Sequence, residues 1–466
     1  MALTTTPLDQ RLLEHIRSVR LFPEPGTALL AVSGGPDSLA LLDLFHAIAS
    51  EIPLRLAVAH VDHGILPDSA RVADQVVAVG AGYHLPVQVE RVDLGPGASE
   101  TRARRARYAA LRSVQRRVGA RYVITGHHAD DQIETIVYRL LRGSGPAGLA
   151  GMQALGPGGL VRPLLPFRRR ELEDWLVQRY AEPGSGPPVH RDPSNNDLRH
   201  DRVWIRSRVL PSLRERLGER LDLALLNLAA QASGERAAWT ALLRAFPDLG
   251  LTPVPRGVEV SMQPLLAVEP PLSEALLRAL AREVGCLVGP KRSARLLAFV
   301  RGASSGRSVE LGEGFLAEVS FGRLRLSRAT SEAPLQPAEW GRDRQGRLQW
   351  GAWEFVWRPE SAGVSSRASW TIWAEPGCGL VRAAAAGDRL RPFGGTGHRA
   401  VSRILMEARV ARRMRKHHPV VLHGDRLIWV PGVCRGQVAV PPAGSMAVRL
   451  EARRLDERVG AADALG

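Results

Sequence analysis

Between positions 27 and 166, short runs rich in apolar residues are separated by longer stretches of mixed polarity. The runs at 28–32, 54–61, 87–92 and 121–125 have the length of strands, and the stretches near 37–50, 68–83 and 99–118 carry apolar positions at helical spacing. Unbroken apolar strands are those covered on both faces. Their regular alternation with helices predicts an α/β fold built on a doubly wound parallel sheet. From position 213 the pattern changes: Leu213–Phe246 is rich in Leu and Ala at helical spacing, and Trp recurs in strand-like alternation over 345–358 and 367–374. Pro/Gly-rich and acidic stretches at 247–270 and 330–345 look like boundaries. We expect a first domain over 1–212, a helical one over 213–330 and a linker with strand-like segments over 331–370. No solenoid repeat is visible.

Ligands of doubly wound sheets bind beyond the carboxyl ends of the strands, and the polar clusters fall there. After the first run comes Ser33-Gly34-Gly35-Pro36-Asp37-Ser38. Its glycines let backbone approach a ligand closely, and the N–H groups opening the next helix face an anion. It has no lysine, so it is not the Gly-x-x-x-x-Gly-Lys-Ser/Thr phosphate loop. Asp37 stands where that loop carries cations, which predicts Mg²⁺ bridging it to phosphate. A plain glycine turn before a helix is the alternative; serines at both ends and an internal aspartate argue for the phosphate site.

His60-Val61-Asp62-His63-Gly64 follows the second run, and Thr125-Gly126-His127-His128-Ala129-Asp130-Asp131 the fourth. The helix dipole alone favours acids in a first turn. It does not explain why two histidines and a glycine precede Asp130, Asp131 and Glu134, and a second carboxylate near Asp37 would complete Mg²⁺ ligation around a triphosphate. His60 and His63 have too few partner ligands for zinc. They either meet a nucleotide or cap a strand end.

The charge is unusual: 63 Lys+Arg against 47 Asp+Glu gives +16, nearly all of it arginine. That sign favours a polyanionic partner. Seven arginines crowd 102–117, as a solvated face or as a phosphate contact. The loop Asp192–Asp197 leads into Arg199, Arg202, Arg206 and Arg208, a basic helix that binds tRNA or nothing. No signal-peptide core or apolar run of membrane-spanning length is seen. Three scattered cysteines (Cys286, Cys378, Cys434) fit no metal spacing, so a reduced cytoplasm is the expectation.

Together these motifs resemble the tRNA(Ile)-lysidine synthetase family of the N-type ATP pyrophosphatases, or PP-loop superfamily. The resemblance is carried by Ser33–Ser38, His60–Gly64, Glu100 through Tyr108 (Glu-x-x-Ala-Arg-x-x-Arg-Tyr) and Thr125–Thr135. It continues through Arg142–Gly145, Gly148–Met152, Arg162-Pro163-Leu164 and Asp192–Asn195. Gly387-Asp388-Arg389, Arg391–Gly394, Arg415, Pro419 and Ile428–Gly432 resemble the family's C-terminal tRNA-binding domain, implying a small α+β domain over 371–455 and a tail over 456–466. The chain departs from the family at Val203-Trp204, and at Ala400 and Ala411.

The resemblance implies ATP held by Ser33, Gly34, Gly35, Pro36, Asp37, Ser38, His60, Asp62 and Gly126, with Mg²⁺ on Asp37, Asp130 and Asp131. It implies catalytic roles for those acids and for Glu134, with Glu134 or His128 accepting the proton of lysine. Glu100, Arg104, Arg107, His128, Arg202, Arg206, Arg389 and Arg415 are the substrate and tRNA candidates. The implied reaction joins free L-lysine to C2 of the wobble cytidine in the CAU anticodon of tRNA(Ile), through an adenylated base. A monomer and a homodimer are both compatible with the chain. A sulfur-installing enzyme would need thiols near the crevice, and residues 1–285 contain none; an amidotransferase would need its own nucleophile. A non-catalytic RNA binder would have lost the crevice acids.

Overall fold

A computed structural model describes residues 6–64, 69–95, 100–182, 186–190, 197–329, 335–366 and 370–455. The chain divides into two compact units, 1–238 and 239–465. The first opens with α1 (Leu8–Ser18), β1 (Gly26–Ala31), α2 (Pro36–Ala47), β2 (Leu54–Asp62), α3 (Ser69–Gly82) and β3 (Val87–Arg91). It continues with α4 (Glu100–Arg117), β4 (Tyr122–Thr125), α5 (Ala129–Leu141), α6 (Pro146–Leu149), β5 (Leu155–Gly156), β6 (Leu160–Val161) and α7 (Arg169–Arg179). Then come α8 (Asp201–Trp204), a π-helical turn Ile205–Val209, α9 (Leu210–Leu217) and α10 (Arg220–Arg244).

The six strands lie in the order β3-β2-β1-β4-β6-β5. All neighbours are parallel except the edge pair β5 and β6. The four strands and three helices expected from the apolar pattern are present; β5 and β6, at two residues each, are too short to leave a period. Chain order reverses at β1, which pairs with β2 on one side and β4 on the other. The carboxyl ends of β1 and β4 therefore flank the crevice where such sheets take ligands.

Alternation along β1 divides the core in two. Ala28 and Leu30 pack with Leu12 and Ile16 of α1, Leu41 and Phe45 of α2 and Leu172 of α7. Leu29 points the other way, toward Leu111 and Val114 of α4, as a period of two requires. Helix α2 is buried from Ser38 through Phe45, so it has no polar face and must be enclosed. Its Asp43, 2% exposed, accepts hydrogen bonds from Tyr83 Oη (2.7 Å), Trp175 Nε1 (2.8 Å) and Tyr180 Oη (2.7 Å). Three donors offset the cost of burying the carboxylate and tie α7 to α2, the helix that carries Asp37.

In the second unit, β7 (Thr252–Val254), β8 (Gly257–Ser261), α11 (Met262–Leu266), α12 (Pro270–Glu283) and α13 (Pro290–Gly302) precede β9 (Arg307–Gly312), β10 (Phe315–Ser320) and β11 (Arg323–Arg328). The stretch expected to be helical over 213–330 thus also holds a five-stranded sheet, β7-β8-β11-β10-β9. Its signal is the alternation Arg323-Leu324-Arg325-Leu326, whose leucines are buried; the longer Leu/Ala runs obscured it.

The remaining elements are β12 (Ala338–Trp340), β13 (Gly346–Trp350), β14 (Trp353–Ser361), β15 (Thr371–Ala374), β16 (Gly379–Ala383), β17 (Arg389–Leu390) and β18 (Arg399–Ala400). After them come α14 (Val401–Glu407), α15 (Arg412–Arg415), β19 (Pro419–His423), β20 (Arg426–Val430), β21 (Cys434–Arg435) and β22 (Met446–Arg454). They form the sheets β12-β16-β19-β20-β21 and β13-β14-β22-β15, with a small β17-β18 pair. Strands within 331–370 are thus built into these sheets rather than spacing them: β14 pairs with β22 from Trp353↔Arg454 to Ser361↔Met446. The recurrent tryptophans fill one core drawn from both larger sheets. Buried indole N–H groups need acceptors, and Trp340 and Trp350 find them at the carbonyls of Leu422 and Gln336, each at 2.8 Å.

Candidate active site

The loop Ser33–Ser38 leaves β1 and enters α2. Gly34 has φ +85° and its carbonyl accepts from the His190 N–H at 2.9 Å. A side chain there would be strained, and its Cβ would sit 3.2 Å from Val72 Cγ1. Ser38 shapes the turn from inside: its Oγ donates to the Gly35 carbonyl (2.8 Å) and accepts from the Ser33 N–H (3.1 Å). Gly35, the N-cap, places no side chain over the helix start; Pro36 has no N–H and the Ser38 N–H donates to the Gly35 carbonyl (3.1 Å), which leaves the Asp37 N–H to face an anion. The end of β4 abuts this start. A Cβ on Gly126 would lie 2.9 Å from the Asp37 carbonyl oxygen, which explains the glycine there.

His128, 2% exposed, caps α5. Its Nδ1 accepts from the Asp131 N–H (3.4 Å), while Asp131 Oδ2 accepts from the His128 N–H (3.1 Å), a capping box built with histidine. Its Nε2 lies 3.5 Å from both Asp37 Oδ2 and Asp131 Oδ2. The tautomer protonated at Nε2 satisfies the cap and faces both acids. Burial pulls the His128 pKa down, but the hydrogen bond to Asp37 and the charges of Asp131, Asp37 and Asp130 outweigh it and leave it raised above 6.5. For Asp37, burial raises the pKa, while His128, Arg169 and Arg206 prevail and hold it below the ordinary value. Asp37 Oδ1 is buried without a hydrogen bond, 3.7 Å from Arg169 Nε.

The three carboxylates expected to share a metal do not gather. Asp130 turns to α7 and α9: its Oδ1 accepts from Arg168 (2.7 Å) and Arg214 (3.4 Å), its Oδ2 from the Arg169 N–H (2.8 Å). Arg168 and Arg214 also bind Asp222, at 2.6 Å and 3.1 Å, closing a ring of two acids and two arginines. Among the described residues, no three His, Cys, Asp or Glu side chains form a metal-binding group. The Asp37–Asp131 pair with the unpartnered Oδ1 is still a fitting donor set for Mg²⁺, which commonly takes one or two carboxylates together with phosphate oxygens.

Glu134, expected to accept a proton, has both oxygens on Arg206, at 2.5 Å to Nε and 2.9 Å to the terminal nitrogen. Burial raises its pKa, with Arg206 opposing. Arg206 rides on the π-helical turn, a feature often found at functional sites, and also lies 3.9 Å from Asp131. The residues of β2 expected to contact the nucleotide also make scaffold bonds. His60 Nδ1 donates to the Val32 carbonyl (2.8 Å), and burial keeps its pKa low. Asp62 Oδ1 accepts from the Gly64 N–H at 2.9 Å. Arg107 reaches His63 at 3.3 Å, Arg104 lies over Tyr108 at 5.2 Å and Arg202 over Tyr138 at 6.0 Å. Glu100 opens α4. In the second unit, Arg389 donates to the His398 carbonyl (3.1 Å) and Arg415 to that of Val410 (2.8 Å). Asp192–Asn196 lies outside the described residues.

This geometry agrees with similarity to known proteins. Residues 5–213 match a PP-loop domain and 380–450 a TilS substrate C-terminal domain. The tRNA(Ile)-lysidine synthase of Symbiobacterium thermophilum is 32% identical over 500 aligned positions, covering 97% of this chain and 99% of that protein. The chain belongs to the tRNA(Ile)-lysidine synthase family. The family enzyme of Geobacter sulfurreducens is 31% identical, with 97% and 99% coverage. The PP-loop match encloses Ser33–Ser38 and the acids of α5, and the C-terminal match encloses Arg389 and Arg415. Reading the sequence missed Arg168, Arg169, Arg214 and Asp222. The run Arg168-Arg169-Arg170 opening a helix was the available signal for the first two; nothing local marks Asp222.

Proposed function

We propose that this chain joins free L-lysine to C2 of the wobble cytidine in the CAU anticodon of tRNA(Ile), using ATP and releasing AMP and pyrophosphate. The observation that carries the reading is the meeting of the uncapped α2 start with Asp37, His128 and Asp131 at the β1/β4 switch point. It offers an anion-binding N–H and carboxylates, and the hydroxyls of Ser33, Ser38 and Thr125 bond to one another, to the Gly35 carbonyl or to His127. Such a site works by positioning and charge neutralisation.

In the first step, the cytidine O2 attacks the α-phosphorus and the bond to pyrophosphate breaks. In the second, the lysine ε-amine forms the bond to C2, the C2–O bond to AMP breaks, and the amine loses a proton. The triphosphate rests on the Ser33–Ser38 backbone. Asp37 and Asp131 would hold Mg²⁺, which when bound neutralises phosphate charge; Asp130 acts by fixing α5 against α7. Lysine is a zwitterion with an added ammonium, and Asp131, Glu134 and Arg206 offer both signs of charge to it. Arg389 and Arg415 contact tRNA from the C-terminal domain.

With α-³²P-labelled ATP and tRNA(Ile) but no lysine, the label should pass to the RNA, and added lysine should release it as AMP. Label that never enters RNA while ATP is consumed would refute the adenylated intermediate.

A further inference from the structure

Most arginines near the crevice are matched by acids: Arg168 and Arg214 by Asp130 and Asp222, Arg206 by Glu134. Three are not. Arg104, Arg139 and Arg162 form no ion pair among the described residues, and they come from separate elements. Arg162 follows β6, whose Val161 is registered against Ile124 of β4, so it lies beside the strand end that carries Thr125 and His127. It is 9% exposed, is anchored through one terminal nitrogen to the Gln153 carbonyl at 2.8 Å, and its buried Nε has no partner. Arg139 is anchored on the carbonyls of Gly148 (2.7 Å) and Gly151 (2.9 Å). Arg104 stacks over Tyr108 on α4, with exposed Arg107 one turn on.

Arg139 and Arg162 are anchored on carbonyls of one short stretch, Gly148 to Gln153, and Tyr108, beneath Arg104, packs against the core that holds Leu160 of β6. Burial and then Arg104, Arg162 and Arg107 drive the His127 pKa well below 6.5, and the ring rests neutral with Nδ1 at 2.8 Å from Thr125 Oγ1. Arg104 and Arg139 are each depressed by burial and by neighbouring arginines, Arg162 and Arg202 among them. Guanidinium groups held together without acids, one with an unused buried N–H, form a site for phosphate, whose oxygens match their fork. The N-terminus of α2 already serves the triphosphate. This cluster instead grades from buried Arg162 to exposed Arg107, as a site reached by a polymer backbone would.

We propose that Arg104, Arg139 and Arg162 form a second phosphate site beside the nucleotide crevice, and that it grips a backbone phosphate of the substrate RNA next to the reacting nucleotide. This rests on the tRNA reading above. The test uses the full chain, comparing Arg104→Gln, which strands no acid, with Arg162→Lys, which keeps the charge and loses the fork. Arg104→Gln should weaken tRNA binding about 5–10-fold and lower the slope of log K against log salt by ~0.7–0.9, the loss of one phosphate contact. Arg162→Lys should weaken binding with the slope unchanged. The KM for ATP and inhibition by pyrophosphate should stay put in both. An unchanged tRNA slope in Arg104→Gln, or a shift confined to ATP and pyrophosphate, would overturn the proposal. If neither variant loses lysine transfer yet both bind RNA less well, the phosphate site stands and the lysine chemistry is judged by its own assay.

Discussion

Two neighbouring regions of the first unit use the same residue type in opposite ways. Along α5 and α7, arginines are spent on acids: Arg168 and Arg214 on Asp130 and Asp222, Arg206 on Glu134. Near the end of β4, Arg104, Arg139 and Arg162 form no ion pair among the described residues and bond to carbonyls or to Tyr108. Paired arginine fixes geometry, because the charges compensate and the fork holds both partners in place. Unpaired arginine stores attraction for an anion that has yet to arrive. A net charge of +16 therefore says little until each guanidinium is assigned to one use or the other.

The sharpest break in this comparison is at Asp37, the acid that keeps a buried oxygen unpartnered. Asp37→Asn should slow pyrophosphate release by ~10²–10³-fold, the usual cost of removing a group that stabilises transition-state charge. Quenched-flow measurement of pyrophosphate checks it, and tRNA binding should change less than twofold. Equal losses in both would place Asp37 among the RNA contacts.

Next comes the paired set. Arg206→Ala strands Glu134 and should cost about 2–3 kcal/mol, less than a fully buried pair because Arg206 is partly exposed. Denaturant melts should show the loss, and adding Glu134→Gln should restore part of it. In the unpaired set, Arg104→Gln strands no acid and should cost less stability than Arg206→Ala, while weakening RNA binding. A large stability loss there would erase the distinction between the two regions.

The smallest effect is a titration. His128 has a pKa raised above 6.5 by Asp37, Asp131 and Asp130 against the opposing pull of burial. Its ionic contribution to stability is therefore complete below pH 6.5 and is lost as pH rises through the raised value. NMR of the ring protons should show His128 titrating above 6.5 in the parent chain and lower in Asp37→Asn. No downward movement would mean that Asp37 is not its partner.

Much of this could be read from the residues. The runs at 28–32 and 54–61 gave β1 and β2 because strands covered on both faces leave an unbroken apolar signal. The clusters at their ends marked the crevice because the switch point concentrates ligand contacts. The partners were hidden. Whether Asp130 faces a metal or Arg168 depends on α7 and α9, 38 and more residues away, and Glu134 meets Arg206 only through a π-helical turn that no periodicity announces. His60, drawn toward the nucleotide by its motif, also ties β2 to the end of β1 through the Val32 carbonyl, a bond its motif does not announce. In the second unit, short alternations such as Arg323–Arg328 were outweighed by longer helical runs.

The most direct test of the function supplies the purified full chain with ATP, Mg²⁺, labelled lysine and two tRNAs bearing CAU anticodons, the isoleucine and methionine species. The account predicts lysine in the isoleucine tRNA alone, with one AMP and one pyrophosphate formed per lysine joined. Lysine absent from both tRNAs, or sulfur or ammonia entering instead when supplied, would contradict it.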